Sequence, residues 1–370
     1  MSGPRIVVDL KKIRSNTQTL VRRLNARGIS VTGVSKSFCG HPAVAQAMLD
    51  GGVVGLAEAR VSNADRLRKA GMTCPITLIR TPMLSEVDQI VKTCEASYNT
   101  EIAVVAALSA AAIHQSVTHG VILMVEMGDM REGILPENLP EIAEQVVQMK
   151  GVALKGIGAN FACLNGVAPS SGQMESLSSL ADEIEKICGP VIQTISGGNS
   201  ANLPWALAEH SIGRVNDLRL GEAILLGVDP ITGEQIGGLF KDAFTLVAEV
   251  IETDEQPTPR RNLPELPKIR IVSNRNDIAR LILAIGHQDT EVAGLTMPEG
   301  GTLIGATSDH LVMVTDCATL KLGSEIVFQM NYKAIMRAMA APDIETVLLN
   351  DRPSRQSRSS QGEAEFLTLV

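Results

Sequence analysis

The sequence predicts a (β/α)8 barrel joined to a second, mostly β domain. Three observations predict it: eight short β-branched runs alternate with helix-like stretches, the rhythm changes after "LLGVDP" (225–230), and 370 residues suffice for about two domains. The runs are "ISVTGVSK" (29–36), "GGVVGLAEA" (51–59), "PITLIRT" (75–81), "ASYNT" (96–100), "VILMVEMG" (121–128), "ALKGIGANF" (153–161), "PVIQTISGG" (190–198) and "NDLRLGEA" (216–223). Between them, segments such as "PENLPEIAEQVVQMK" and "SGQMESLSSLADEIEKIC" repeat apolar residues every three or four positions, as one buried helix face requires. Eight repeats in about 220 residues suit a closed barrel. Periodicity does not show closure, and an open doubly wound sheet satisfies the same pattern.

Beyond the eighth run, "FTLVAEVIET", "RLILAIG", "GGTLIGATSD", "HLVMVTD" and "SEIVFQM" read as strands separated by turns, with one clear helix, "NYKAIMRAM". Residues 10–235 are therefore assigned to the barrel and 236–350, with 1–9, to the β domain. The proline-rich stretch 253–268 reads as a long loop, and the polar tail 351–370 as disordered.

Composition narrows the function. Hydrophobic residues make up 45% of the chain, enough for sizeable cores, while no stretch has a signal peptide's layout or the roughly 20 apolar residues of a membrane span. A cytoplasmic protein without membrane partners is the expectation. Six cysteines without C-x-x-C spacing suggest reduced thiols rather than disulfides or a sulfur-rich zinc site. A net charge of −8 and an aromatic content of 2% argue against nucleic acid as a partner.

In an eight-fold barrel the C-terminal strand ends share one face, where such enzymes place their chemistry. That face gathers Lys36, Arg131, Asn160, the loop "SGGNSAN" (196–202) and Arg219 with Gly221. The loop, with Ser196, Gly198, Asn199 and Ser200, stands with Gly221 at the phosphate position after the seventh and eighth strands. A tight turn with an Asn or Ser cap explains the loop as well. An isolated strand-end lysine more often simply reaches for solvent. Opposite a phosphate site, however, Lys36 has the placement needed to hold pyridoxal 5'-phosphate as an imine, its amine serving as nucleophile and then as base. Arg219 is placed to donate to the cofactor's ring nitrogen. A guanidinium does not take up that nitrogen's proton, so the ring remains a weaker electron sink, which favours reprotonation over transamination.

The motifs "VSKS", "MREG", "GANFACLNG", "ISGGNSAN" and "LRLGEAILLG" resemble those of the fold type III pyridoxal-phosphate-dependent amino-acid racemases, in particular the ornithine/alanine racemase-like subgroup, over about residues 5 to 345. The resemblance implies an isomerase, and a homodimer, with the second domain of one chain over the barrel mouth of the other, is expected because the barrel site lacks an evident opposite-face base. It makes Lys36 the cofactor-bearing lysine and Arg131 the arginine beside the phenolic oxygen and the substrate. Asn160 then packs near the ring, Ser200 and Gly221 bind phosphate, and Arg219 is the ring-nitrogen partner. Tyr332 resembles the second-domain tyrosine that reaches the phosphate. Ser308 and Asp309 fall where the family meets its substrate.

Two departures stand out. The lysine is followed by "KSFCGHP", with Cys39 and no tyrosine, and the only tyrosines are Tyr98 and Tyr332, so the family's opposite-face tyrosine base is missing. His287 in "AIGHQDT" is the candidate replacement, because imidazole titrates near neutral pH. Cys39, Cys163 and the 253–268 loop are the alternatives. Ornithine, lysine, serine or alanine fit as substrates, and Asp289 or Asp309 would pair a distal ammonium. Two other functions remain open: a metal-assisted lyase on D-amino acids, suggested by His310 near Cys317, and a pyridoxal-phosphate carrier, which would not need the second domain.

Overall fold

A computed structural model describes residues 3–254, 279–316 and 319–349. It divides into two compact units, one spanning Leu10–Ala243 and the other joining the first strand to the chain from Phe244 onward. In chain order the elements begin with β1 (Arg5–Asp9), α1 (Leu10–Asn25), β2 (Ser30–Val34), α2 (Pro42–Asp50), β3 (Gly55–Glu58), α3 (Val61–Lys69) and β4 (Ile76–Leu78). There follow α4 (Val87–Thr93), β5 (Ala96–Asn99), α5 (Ile102–His114), β6 (His119–Val125), α6 (Leu139–Gln148), β7 (Val152–Ala159) and α7 (Ser171–Cys188). The first unit ends with β8 (Thr194–Ser196), α8 (Leu203–Leu207), β9 (Asp217–Leu220) and α9 (Glu222–Leu226).

Strands β2 to β9 form a closed parallel barrel, sealed where β2 pairs with β9 in the register Thr32 with Arg219. All eight runs read from the sequence are strands of this barrel, which settles the choice between a closed and an open sheet. All seven residues of β6 are buried, as expected for a parallel strand covered on both faces. Helix α7 starts with a capping box, Ser170 accepting from Gln173 N and Gln173 reaching back to Ser170 N. At Gly158 a Cβ would stand 2.9 Å from the Tyr98 ring, so only glycine lets that ring lie across the barrel interior. Residues 236–243 group with the barrel unit. The side chain of Asn16 in α1 ties them there, donating to Phe240 O at 2.8 Å and accepting from Phe240 N at 2.7 Å.

The second unit contains β10 (Phe244–Asp254), β11 (Ala279–Leu283), β12 (Leu295–Thr296), β13 (Gly301–Ala306), β14 (Leu311–Thr315), β15 (Glu325–Met330), α10 (Tyr332–Ala338) and β16 (Glu345–Leu349). Its sheet runs β12-β15-β10-β11-β14-β13, with β1 antiparallel to β10 and parallel to β16. Strand β15 alternates exposed and buried residues, the mark of a sheet covered on one face. Pattern reading finds β10, β11, β13, β14, β15 and α10 but not β12 or β16, the first because two residues carry no period. Most of the proline-rich stretch and the whole tail 351–370 lie outside the described residues. Among the described residues no helix is long and apolar enough to cross a membrane. Cys39, Cys74, Cys94, Cys163 and Cys188 are free thiols, and Cys317 lies outside the described residues.

Candidate active site

A cavity of about 330 Å³ opens at the C-terminal ends of the barrel strands, and Lys36, Arg131, Asn160 and Arg219 all line it, together with Arg80 and Glu132. Four residues spread over 183 positions of sequence thus meet in one place because the sheet closes on itself.

Lys36 does not extend β2; it opens a single 3₁₀ turn, Lys36–Phe38, whose Phe38 is fully buried as an anchor. The turn ends at Cys39, a non-glycine residue in the left-handed region at φ 53°. In front of the lysine, Ser35 N donates to Ala57 O at 2.9 Å and Ser35 Oγ to Glu58 Oε2 at 2.7 Å. Glu58, fully buried, also accepts from Ala59 N, Arg60 N and Asn63 Nδ2. Burial pushes its carboxyl up, and these hydrogen bonds act against the shift. Burial likewise raises Glu222, at the start of α9, against a downward pull from the Lys36 charge. The Cys39 thiol is pushed up, chiefly by burial, which disfavours the thiolate.

The glycine loop after β8 is laced to its neighbours. Asn199 accepts from Ala201 N at 2.9 Å and donates to Phe161 O at 2.8 Å and to Asn160 Oδ1 at 3.2 Å. The buried Ser200 hydroxyl accepts from Ala223 N at 3.2 Å, which joins the loop to the first turn of α9 beside Gly221. Gly198 has φ 99°, and a Cβ there would meet the Phe161 ring at 2.8 Å. Ser196 differs from the rest of the loop: its hydroxyl points into the barrel, accepting from Arg219 Nη1 at 2.6 Å and donating to Asp217. Arg219 Nη1 also reaches Tyr98 OH at 3.3 Å, and Nη2 donates to Ala159 O at 2.8 Å.

Asn160 Nδ2 donates to Asp129 Oδ2 at 2.9 Å, while Asp129 Oδ1 accepts from Cys163 N and Leu164 N at 3.0 Å each. One buried carboxylate thus joins the loops after β6 and β7. Arg131 is ion-paired with its neighbour Glu132.

In the β unit, two turns bring together the residues read as substrate-facing. His287 N donates to Thr307 O and Gln288 N to Ser308 O. Asp309 accepts from Gln288 Nε2 at 3.1 Å and from the Ser308 hydroxyl, and Asp289 Oδ2 caps Gly286 N at 2.8 Å. The His287 side chain is exposed. Tyr332 opens α10, which Asn331 caps by accepting from Ala334 N. Among the described residues no three His, Cys, Asp or Glu side chains are grouped to hold a metal.

Sequence reading missed Glu58, Asp129, Asp217 and Tyr98. Asp217 had a signal: it lies two residues before Arg219 on one strand, so both side chains share a face.

A barrel closed over a buried arginine, with a lysine at its mouth and a glycine loop beside it, has the architecture of an α/β-barrel enzyme. Residues 8–230 match the family described as alanine racemase, N-terminal domain, and the chain belongs to that family, the fold type III pyridoxal-phosphate-dependent racemases; it is an isomerase. It is 34% identical over 353 residues to a lysine racemase of Thermotoga maritima, covering 94% of this chain and 99% of that protein. It is 32% identical over 355 residues to an ornithine racemase of Acetoanaerobium sticklandii, with 94% and 99% covered. Among solved structures, an alanine racemase from a D-cycloserine-producing Streptomyces lavendulae shares the fold with a TM-score of 0.76 at 19% identity, covering 95% of this chain and 98% of that one. A D-threonine aldolase from Filomicrobium marinum shares it at 0.74 and 16%, with 94% and 91% covered. At these identities the last two likenesses speak for the fold alone.

Proposed function

We propose that this chain racemises a basic amino acid, lysine or ornithine, using pyridoxal 5'-phosphate held in the barrel cavity. The carrying observation is that Lys36, Arg131, Asn160 and Arg219 line one cavity. The donor set fits the cofactor: a primary amine for its aldehyde, guanidinium groups for its ring, and a glycine-framed loop with the Ser200 hydroxyl for its phosphate. When bound, the cofactor supplies the electron sink that lets an α-proton leave.

The chain's own residues do the rest. Lys36 anchors the cofactor and moves the proton on one face of the α-carbon. Arg219 donates to the ring nitrogen while keeping its own charge. Gly198, Asn199, Ser200 and Gly221 hold the phosphate, and Arg131 and Asn160 orient ring and substrate. Ser196 belongs behind Arg219 rather than among the phosphate ligands. In the β unit, Tyr332 as a phosphate ligand, His287 as the second base, and Asp289, Ser308 and Asp309 as substrate contacts rest on the resemblance and on residue chemistry. The preference for a basic substrate rests on the two nearly full-length relatives named above. A homodimer is proposed because the barrel site lacks an evident opposite-face base, and sedimentation at assay concentration reads it. The test of the whole is a panel of L- and D-amino acids, with loss of optical rotation followed alongside carbonyl release. Racemisation fastest with lysine or ornithine supports the reading; carbonyl release without racemisation overturns it.

A further inference from the structure

Arg219 is a permanent charge with 4% of its surface exposed, and its direct partners, the Tyr98 hydroxyl, the Ser196 hydroxyl and the Ala159 carbonyl, are all neutral. A charge buried without an opposite one is strongly destabilising. The Tyr98 ring, 4.7 Å from the guanidinium carbon to its centroid, offers only the attraction of its π face. The carboxylate nearest in this network is Asp217, itself 6% exposed.

The hydrogen bonds have a fixed direction. A serine hydroxyl has one proton to give. Ser196 gives its proton to Asp217 Oδ2 and receives Arg219 Nη1 on a lone pair. Thr32 Oγ1 donates to the other oxygen, Asp217 Oδ1, at 2.7 Å. Both carboxylate oxygens therefore accept, the arrangement suited to an ionised group. Burial pushes the Asp217 carboxyl up, and Ser196, Thr32 and the Arg219 charge act against that shift. Ser196 lies on β8 and Asp217 and Arg219 on the adjacent β9, while the Thr32 bond crosses from β2 and exists only in the closed barrel.

We propose that Asp217 is a positioning residue: acting through the Ser196 hydroxyl, it is the counter-charge of Arg219 and fixes how that guanidinium faces the cavity it shares with Lys36. The coupling of the pair stands apart from the proposed function, whereas its effect on a bound cofactor rests on that function.

The test is a double-mutant cycle on the full-length, cofactor-free protein, read as thermal unfolding. Asp217→Asn and Arg219→Met are each expected to lower Tm by about 5 °C or more, and the double variant to unfold no lower than the worse single one. Additive losses would overturn the proposal. Should Asp217→Asn fail to fold, Ser196→Ala and Ser196→Ala with Arg219→Met form the same cycle with smaller shifts. In a second measurement, pyridoxal phosphate is titrated into each form. Asp217→Asn and Ser196→Ala should move the absorbance maximum of the bound cofactor in the direction that Arg219→Met moves it. A maximum changed by Arg219→Met but untouched by the other two would contradict the positioning role. Absence of cofactor binding in every form, wild type included, beside a coupled thermal cycle would count against the proposed function and leave the pair standing.

Discussion

Ser35 Oγ donates to Glu58 Oε2 at 2.7 Å, one residue before Lys36. The turn that presents the lysine is thus fastened by a carboxylate at the end of the adjacent strand, and that carboxylate accepts three further hydrogen bonds. Glu58→Ala would strand these donors in a buried region and should cost about 3 kcal/mol in urea unfolding. Glu58→Gln keeps one acceptor oxygen and should cost about 1 kcal/mol. Racemase activity should fall more steeply than the folded fraction in the alanine variant. Equal stability losses for the two variants would contradict this role for Glu58.

His119 should give the barrel an acid-sensitive term. Its Nε2 meets Ser97 Oγ at 2.8 Å, and burial pushes its pKa down from 6.5 to about 4. A depressed folded value means that the unfolded chain binds the proton more readily. The neutral histidine's contribution is therefore complete above pH 6.5 and is lost as pH falls toward about 4. The loss amounts to about 3 kcal/mol. The gap in unfolding free energy between wild type and His119→Gln should change by that order across this window. Parallel profiles for the two proteins would rule it out.

Much of the barrel is legible in the sequence because each strand is a short β-branched run, and local periodicity survives without knowledge of partners. The strand-end residues Lys36, Asn160 and Arg219 are legible for the same reason, since barrel topology alone sends strand ends to one face. Asp217 and Thr32 are 185 residues apart and meet only when β2 closes on β9, so no local pattern announces their bond. Asp129 resembles any loop aspartate until the loops after β6 and β7 come together. Ser196 stands beside two glycines, which suggests phosphate, while the strand geometry turns its hydroxyl inward to Arg219.

The two faces of the α-carbon should separate by substitution. With His287→Ala, the account expects cofactor retention and loss of racemisation, while deuterium exchange at the α-carbon survives for the one enantiomer served by Lys36. Near-normal racemisation would remove His287 and move the search to Cys39 or Cys163. Loss of exchange from both enantiomers would mean that the cofactor itself had shifted.

Arg131 should matter for substrate handling more than for folding. It is partly exposed and paired with Glu132 on the adjacent position, a contact worth at most about 1 kcal/mol. Arg131→Lys should leave Tm within about 2 °C of wild type while lowering kcat/KM at least tenfold, because an ammonium does not reproduce the planar fork of a guanidinium. A large fall in Tm with unchanged kcat/KM would reverse the assignment.

The most direct measurement is reduction of the pyridoxal-phosphate-loaded protein with borohydride, followed by digestion and peptide mapping by mass spectrometry. The account predicts one cofactor adduct per chain, on Lys36, with none in Lys36→Ala. An adduct on another lysine, or an unmodified Lys36 peptide in protein that has taken up the cofactor, would contradict it.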